Sequence, residues 1–419
     1  MNRRLAENIF SLLVLQGANY ILPLLTLPYL VRVLGPEKFG IIAFAQAFIQ
    51  YFVILTDYGF NLSATRQIAQ FKEDSAKISR LFCAVLGVKF LLMSLSFVLL
   101  TTIVMLVPSM REQWPVYLAT SLMVLGTALF PQWFFQGMER MKYITALNIT
   151  AKVIATCSIF IFVRSEADYV IAAGIQAAGM TIAGLIGLLA VRRITRITLK
   201  TPNLTELKRV LADGWHVFLS TAAVNLYTSS NTVILGLLTN PVAVGYFSAA
   251  EKLVKAVTGL ISPLGQALYP HIATLVINSR STALAFIRKA LILFTSIGLL
   301  LSILLYTFAM PLVKLLLGEQ YLSAVSVVQL MAFLPLIIAV SNILGIQTML
   351  NFGFQKEFST CLVLGAAVNL TLIFPLSYLF GIEGAAISVL LTETVITLSM
   401  GWMLRKQGVY LFAKKEIIA

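Results

Sequence analysis

Seven ionisable side chains stand in stretches of sequence that tolerate few. Asp57, Lys89, Lys152, Glu251, Lys252, Lys255 and Glu393 each interrupt long runs of Leu, Ile, Val, Phe and Ala. At the centre of a bilayer such a group costs about 2.5–3.5 kcal/mol on insertion scales, so it persists by facing a polar cavity or a partner. Spacing suggests the partners. Glu251 and Lys255 are four residues apart on a helix and either neutralise each other or meet a substrate or ion. Asp57 has Lys89 and Arg66 as candidate cations. Lys152 lies a few residues into its apolar run, where a long side chain also reaches the interface. Glu393 is nearly central in its run, beside Thr392 and Thr397, with no local cation. Lys314 lies near a run end and carries less weight.

The sign of this set has a consequence. Five lysines (Lys314 included) face three acids, and a cavity with surplus positive charge suits an anionic cargo. The acids Asp57, Glu251 and Glu393 then serve as counter-ions or as sites for a coupling H⁺ or Na⁺.

The elements that carry these residues repeat. A shift of 205 residues places Leu34–Gly40 on Thr239–Gly245, two short turns that each enter a long helix. The same shift places Gln46, Gln50, Asp57 and Asn61 on Glu251, Lys255, Ser262 and Gln266. At about 100° per residue each set shares one helix face. Two equivalent helices with polar stripes predict a central cavity between two halves. Lys89, Lys152, Lys252, Lys255, Gln46, Gln50, Asn61 and Gln266 are its candidate lining.

Composition fixes the solvent. The 419 residues are 59% hydrophobic and 11% charged, with mean hydropathy +0.91, against roughly 25% charged in a soluble domain. Apolar runs long enough to cross a bilayer predict spans near 9–31, 39–63, 81–107, 115–137, 146–163, 170–190, 214–238, 244–275, 290–317, 326–350, 358–380 and 384–404. The expected architecture is an all-α integral membrane protein of about twelve helices in two pseudo-symmetric six-helix bundles. Residues 1–190 form the first bundle, 191–213 a cytoplasmic linker and 214–419 the second. The loops on one side, together with both termini, carry 22 of the 31 Lys and Arg, and those on the other carry four. That asymmetry puts both termini in the cytoplasm and explains the net charge of +14 without nucleic acid. All four tryptophans fall near span ends, where amphipathic rings prefer the interface.

Several chemistries are excluded. There is no G-x-x-x-x-G-K-[ST], no G-x-S-x-G and no H-E-x-x-H. Cys83, Cys157 and Cys361 fall in or beside apolar runs and read as packing residues. His216 and His271 are too far apart in sequence to suggest a metal site. No enzyme activity, metal or cofactor is expected. Prolines 23, 28, 131, 263, 335 and 375 lie within spans and bend them. Gly174, Gly179, Gly184 and the pair Gly381 and Gly384 mark close helix contacts.

Five segments carry a resemblance: Pro28–Gly40 (PYLVRVLGPEKFG), Asp57–Arg66 (DYGFNLSATR), Gln132–Met141 (QWFFQGMERM), Val244–Lys252 (VGYFSAAEK) and Gly381–Ala386 (GIEGAA). Over essentially its whole length the chain resembles the polysaccharide transporter family of the multidrug/oligosaccharidyl-lipid/polysaccharide exporter superfamily, and within it the bacterial O-antigen flippases of the Wzx type. The resemblance implies a cargo of undecaprenyl-pyrophosphate-linked oligosaccharide, transport across the bacterial inner membrane and ion-gradient coupling. An O-antigen polymerase and a chain-length regulator are its implied partners. A multidrug antiporter of the same superfamily would show an acidic cavity with few buried lysines. A membrane-embedded glycosyltransferase or polymerase would need larger extramembrane loops.

Overall fold

The computed structural model describes residues 3–194, 198 and 201–411. Residues 195–197, 199 and 200 of the expected linker, and the tail from 412, lie outside them. Among the described residues every regular element is helical, and nine helices are long and apolar enough to cross a membrane. Two of these are double. Gly17–Gln70 contains a break at Gly35 (φ 67°, ψ 173°), and Gln355–Lys406 contains one at Gly381 (φ 57°, ψ −125°). Both are positive-φ positions that glycine adopts without a Cβ penalty. Counting each as two crossings and adding Leu204–Leu238 gives twelve helices.

The chain divides into two compact units, Met1–Ser229 and Ser230–Ala419. The division falls inside helix Leu204–Leu238, later than the expected start of a second bundle at 214. The first turns of that helix pack on the first unit: Phe218 stacks on Tyr58 with ring centroids 4.7 Å apart, and Gln67 donates to Asp213. The core of the first unit gathers Phe60, Phe82, Trp133, Phe134 and Phe135. In the second unit Ile272, Ile287, Phe294 and Ile343 form a corresponding cluster.

The units repeat each other locally. Pro36 follows the Gly35 turn, and Pro241 opens helix Pro241–Gly259 after Asn240, whose side chain accepts the Ala243 N–H. Proline at the first helical position loses only an N–H that lacks an intrahelical partner anyway.

Several expected spans are not single rods. The span expected over 39–63 breaks at Tyr58 (φ 48°) and Gly59 (φ 72°) before helix Phe60–Gln70 resumes. The neighbouring helix lies close at this break: a Cβ on Gly59 would lie 2.6 Å from Val217 Cγ1. A left-handed Tyr costs about 1–2 kcal/mol, and its ring contact with Phe218 offsets part of that. The span expected over 115–137 is three segments, Trp114–Thr120, Leu122–Leu129 and Gln132–Gly137. The span expected over 244–275 divides into Pro241–Gly259 and Ser262–Asn278, and that over 326–350 into Ala324–Met331, Leu334–Asn342 and a π-helical turn, Ile343–Leu350. Pro131, Pro263 and Pro335 stand at the starts of segments in these broken spans.

Close approach in the first unit depends on glycine at two facing places. A Cβ on Gly126 would lie 2.7 Å from Thr181 N and 2.8 Å from the Met180 carbonyl carbon, and one on Gly184 would lie 2.7 Å from Leu129 Cβ. Thr181 Oγ1 donates across the same seam to the Leu122 carbonyl at 2.8 Å. Gly126→Leu is therefore expected to destabilise the protein by about 1–3 kcal/mol, the range for overpacking. Gly401→Ala, whose new methyl meets only Leu344 Cδ1 at 3.8 Å, is expected to leave stability equal or slightly raised. Thermal unfolding of the detergent-purified variants tests both.

Candidate functional site

Lys89 projects from helix Ser75–Leu106 into the first bundle and is 1% exposed. A buried ammonium must find acceptors within the protein. It finds two: Asp57 Oδ1 at 3.3 Å and the backbone carbonyl of Thr127 at 2.9 Å. The second is open for a reason written in the sequence. In a continued helix the Thr127 carbonyl would receive the N–H four residues on, but that residue is Pro131, which has none. Phe130 also leaves the helix (φ −78°, ψ 112°). The end of Leu122–Leu129 thus presents a free carbonyl at its negative dipole end, where a cation is favoured.

Asp57 completes the arrangement at the last residue of its helix, just before the Tyr58–Gly59 break. Asn61 Nδ2 lies 3.0 Å from both carboxylate oxygens. The Asp57 side chain is 20% exposed against 1% for Lys89, so the carboxylate, and not the ammonium, faces open space. That space is a cavity of about 240 Å³ lined by Gln50, Asp57, Asn61, Thr127, Thr221 and Asn225 among others.

The structure therefore brings four of the expected residues, Gln50, Asp57, Asn61 and Lys89, to one place. Gln46, on the same stripe, instead donates to Gln176 Oε1 at 3.2 Å. Lys152 donates to Asn19 Oδ1 at 2.6 Å. In the second unit Lys255 pairs with Glu251 at 2.8 Å, and Glu393, half-buried on helix Gln355–Lys406, accepts the Thr397 hydroxyl at its backbone carbonyl at 2.8 Å. Lys252, half-buried, lies on the same helix. Gln266 is exposed and donates to Ser262 Oγ at 3.2 Å. Lys314 pairs with Glu319 at 2.8 Å.

Sequence reasoning missed Thr127, Gln132, Thr221 and Asn225. The i,i+4 spacing of Thr221 and Asn225 was available as a signal, since it puts both on one face of an apolar helix. Thr127 contributes through its backbone, and only Pro131 four residues later marks it.

The ammonium has two acceptors of different kinds, and this separates it from an exchangeable ion pair. Lys89→Met leaves Asp57 and the Thr127 carbonyl without their cation and is expected to cost on the order of 3 kcal/mol. The exchanged pair Asp57→Lys with Lys89→Asp is expected to recover little of that loss, because a carboxylate at 89 meets a carbonyl oxygen. Lys89→Arg is expected to recover most. Thermal unfolding midpoints of the four proteins decide the matter.

Comparison with known proteins gives this arrangement its context. The family described as "Polysaccharide biosynthesis protein" matches residues 5–276. A protein of Escherichia coli (strain K12) described as "Putative O-antigen transporter" is 40% identical over 393 residues, covering 94% of this chain and 95% of its own. A protein of Shigella dysenteriae with the same description is 34% identical over 394 residues, covering 94% and 98%. Among solved structures, the lipid II flippase MurJ in an inward closed conformation superposes with a TM-score of 0.75 at 10% identity, covering 95% of this chain and 87% of that one. An inward-facing multidrug resistance MATE family transporter of the MOP superfamily gives 0.66 at 15% identity, covering 93% and 95%. At those identities the structural likeness concerns the fold. With the family match spanning well over half of the sequence and two relatives alike over nearly all of it, the chain belongs to the polysaccharide biosynthesis protein family.

Proposed function

We propose that this multi-pass membrane protein is a flippase. Its cargo is an oligosaccharide, an O-antigen repeat unit or a related one, carried on undecaprenyl pyrophosphate. It moves that headgroup across the bacterial inner membrane, with both chain termini in the cytoplasm, and it is not an enzyme. The observation that carries the reading is the near-full-length likeness to two proteins described as O-antigen transporters. The geometry supports it. A polar cavity with an ion pair at its wall lies inside a bundle whose outer surface is apolar. A purely structural membrane helix bundle gains nothing from buried charge at that cost.

Within this reading the groups divide by what already holds them. Lys89 and Lys152 are each held within the first unit, by Asp57 with Thr127 and by Asn19, so the diphosphate falls in the second unit to Lys252 and to Lys255, which stays open beside Glu251. Lys255 is the more open of the two, with its side chain 64% exposed. Asp57, Glu251 and Glu393 are the carboxylates that take up a coupling H⁺ or Na⁺. Protonating Asp57 removes the charge that holds Lys89, and protonating Glu251 removes an attraction on Lys255. The first change loosens a contact between two helices, which is how an ion gradient biases one conformation over another. An O-antigen polymerase and a chain-length regulator act on the product on the far side of the membrane.

Deleting the gene in its host tests the assignment. The expected outcome is loss of surface polysaccharide, with undecaprenyl-linked repeat units accumulating on the cytoplasmic face, and recovery when the intact gene is returned. Lys255→Gln is expected to lower export at least tenfold at normal protein level. Normal polysaccharide with changed tolerance to cationic drugs would instead assign the chain as a multidrug antiporter.

A further inference from the structure

The cavity in the first unit differs in character from the basic site that a diphosphate requires. Among the described lining its one cation, Lys89, is 1% exposed and held by Asp57 and the Thr127 carbonyl. The charge that it presents is the carboxylate of Asp57, already paired. The remaining polar lining is uncharged: Gln50, Asn61, Gln132, Thr221 and Asn225. An anion entering here meets a carboxylate and no free ammonium, a repulsion that a low-dielectric setting strengthens.

Hydroxyl groups meet complementary chemistry. Gln50 and Gln132 have no hydrogen-bond partner among the described residues, so each offers a donor and an acceptor. Asn61 gives its amide N–H to Asp57, and its oxygen is buried without a partner. Asn225 gives its N–H to the Thr221 carbonyl at 2.8 Å, which leaves its oxygen as an acceptor. The Asp57 carboxylate is a strong acceptor for a hydroxyl. Phe130 and Met180 supply apolar wall against which the C–H face of a pyranose ring packs. The volume, about 240 Å³, is below the roughly 300–1,000 Å³ of pockets for drug-sized ligands. It therefore admits about one ring of a larger cargo and not a whole repeat unit.

We propose that this cavity is a saccharide subsite which binds one neutral, hydroxyl-rich sugar residue of the cargo, through Gln50, Gln132 and Asn225, while the diphosphate is held elsewhere. The inference rests on the flippase reading and assigns to one cavity the part of the cargo that differs between polysaccharides. Gln50 and Gln132 are then specificity-determining residues: both are unpaired among the described residues, and their replacement disturbs no bond of the ion-pair seat.

The test uses a reporter on the cavity wall, Thr221→Cys, in protein carrying Cys157→Ala, because Cys157 is exposed whereas Cys83 and Cys361 are buried. Purified protein in detergent is alkylated with a polar maleimide in the presence of two probes. One is the host's own repeat-unit oligosaccharide, released from its lipid so that it carries no phosphate. The other is inorganic pyrophosphate. Tens of millimolar oligosaccharide is expected to slow labelling of the introduced thiol at least fivefold, and pyrophosphate to leave the rate unchanged. Adding Gln50→Leu or Gln132→Leu is expected to abolish the protection while the unfolding midpoint stays within 2 °C or so, at ~1 kcal/mol or less of stability change. Protection by pyrophosphate alone, protection by neither probe, or protection that survives both leucine variants overturns the subsite. The reporter protein is also returned to the deletion strain. If it restores surface polysaccharide while protection fails, the subsite alone is wrong. If the intact gene restores nothing, the flippase reading fails and takes the subsite with it.

Discussion

The ammonium of Lys89 sits deep in a helix bundle, 1% exposed, and the first unit is arranged around that fact. A charge in such a place requires acceptors from the chain itself, and here they come from two other helices. Asp57 ends its helix because Tyr58 and Gly59 turn the chain aside, and the Thr127 carbonyl is open because Phe130 and Pro131 stop Leu122–Leu129. Three helices are thereby fixed at one point by two breaks and one cation. Glycine contacts along the Gly126–Thr181 seam bring the neighbouring helix close enough for its Met180 to close the cavity wall. The polar opening is a by-product of helix ends that do not continue.

The second unit handles the same physical demand differently. Glu251 and Lys255 neutralise each other along one helix. In the first unit the ammonium is buried and the carboxylate faces open space. In the second the order is reversed, with Lys255 far more exposed than its partner. Two halves that repeat in their turns thus leave opposite partners of their ion pairs exposed, Asp57 in the first and Lys255 in the second.

Much of this was legible in the sequence. The spans, their turns and the local repeat follow from hydropathy, basic-loop asymmetry and the Gly35-Pro36 and Asn240-Pro241 pairs, because those signals are local. The partnership of Asp57 with Lys89 was one of two candidates, and the i,i+4 geometry of Glu251 and Lys255 left neutralisation as one of two readings. What escaped was long-range or backbone-borne. Nothing near Lys152 indicates Asn19, and nothing near Gln46 indicates Gln176. Tyr58 in a left-handed conformation opposes its own propensity, and the Val217 and Phe218 that pack at this break come from a helix far along the chain. The division of the chain within Leu204–Leu238 has the same origin, since contacts and not loop composition decide where a compact unit ends.

The Thr127 carbonyl has an evolutionary consequence. A backbone oxygen belongs to every amino acid, so position 127 is free to drift among relatives without loss of the cation seat. Positions 89 and 131 are not, because one must supply the donor and the other must withhold it. A lineage that replaced Pro131 with a residue able to continue the helix would close the carbonyl and leave the buried lysine with one acceptor, so basic residues at 89 and proline at 131 should be inherited or lost together. The mark of this seat in a set of relatives would be a linked pair of columns 42 positions apart, with an unconstrained one between them at the atom that makes the bond.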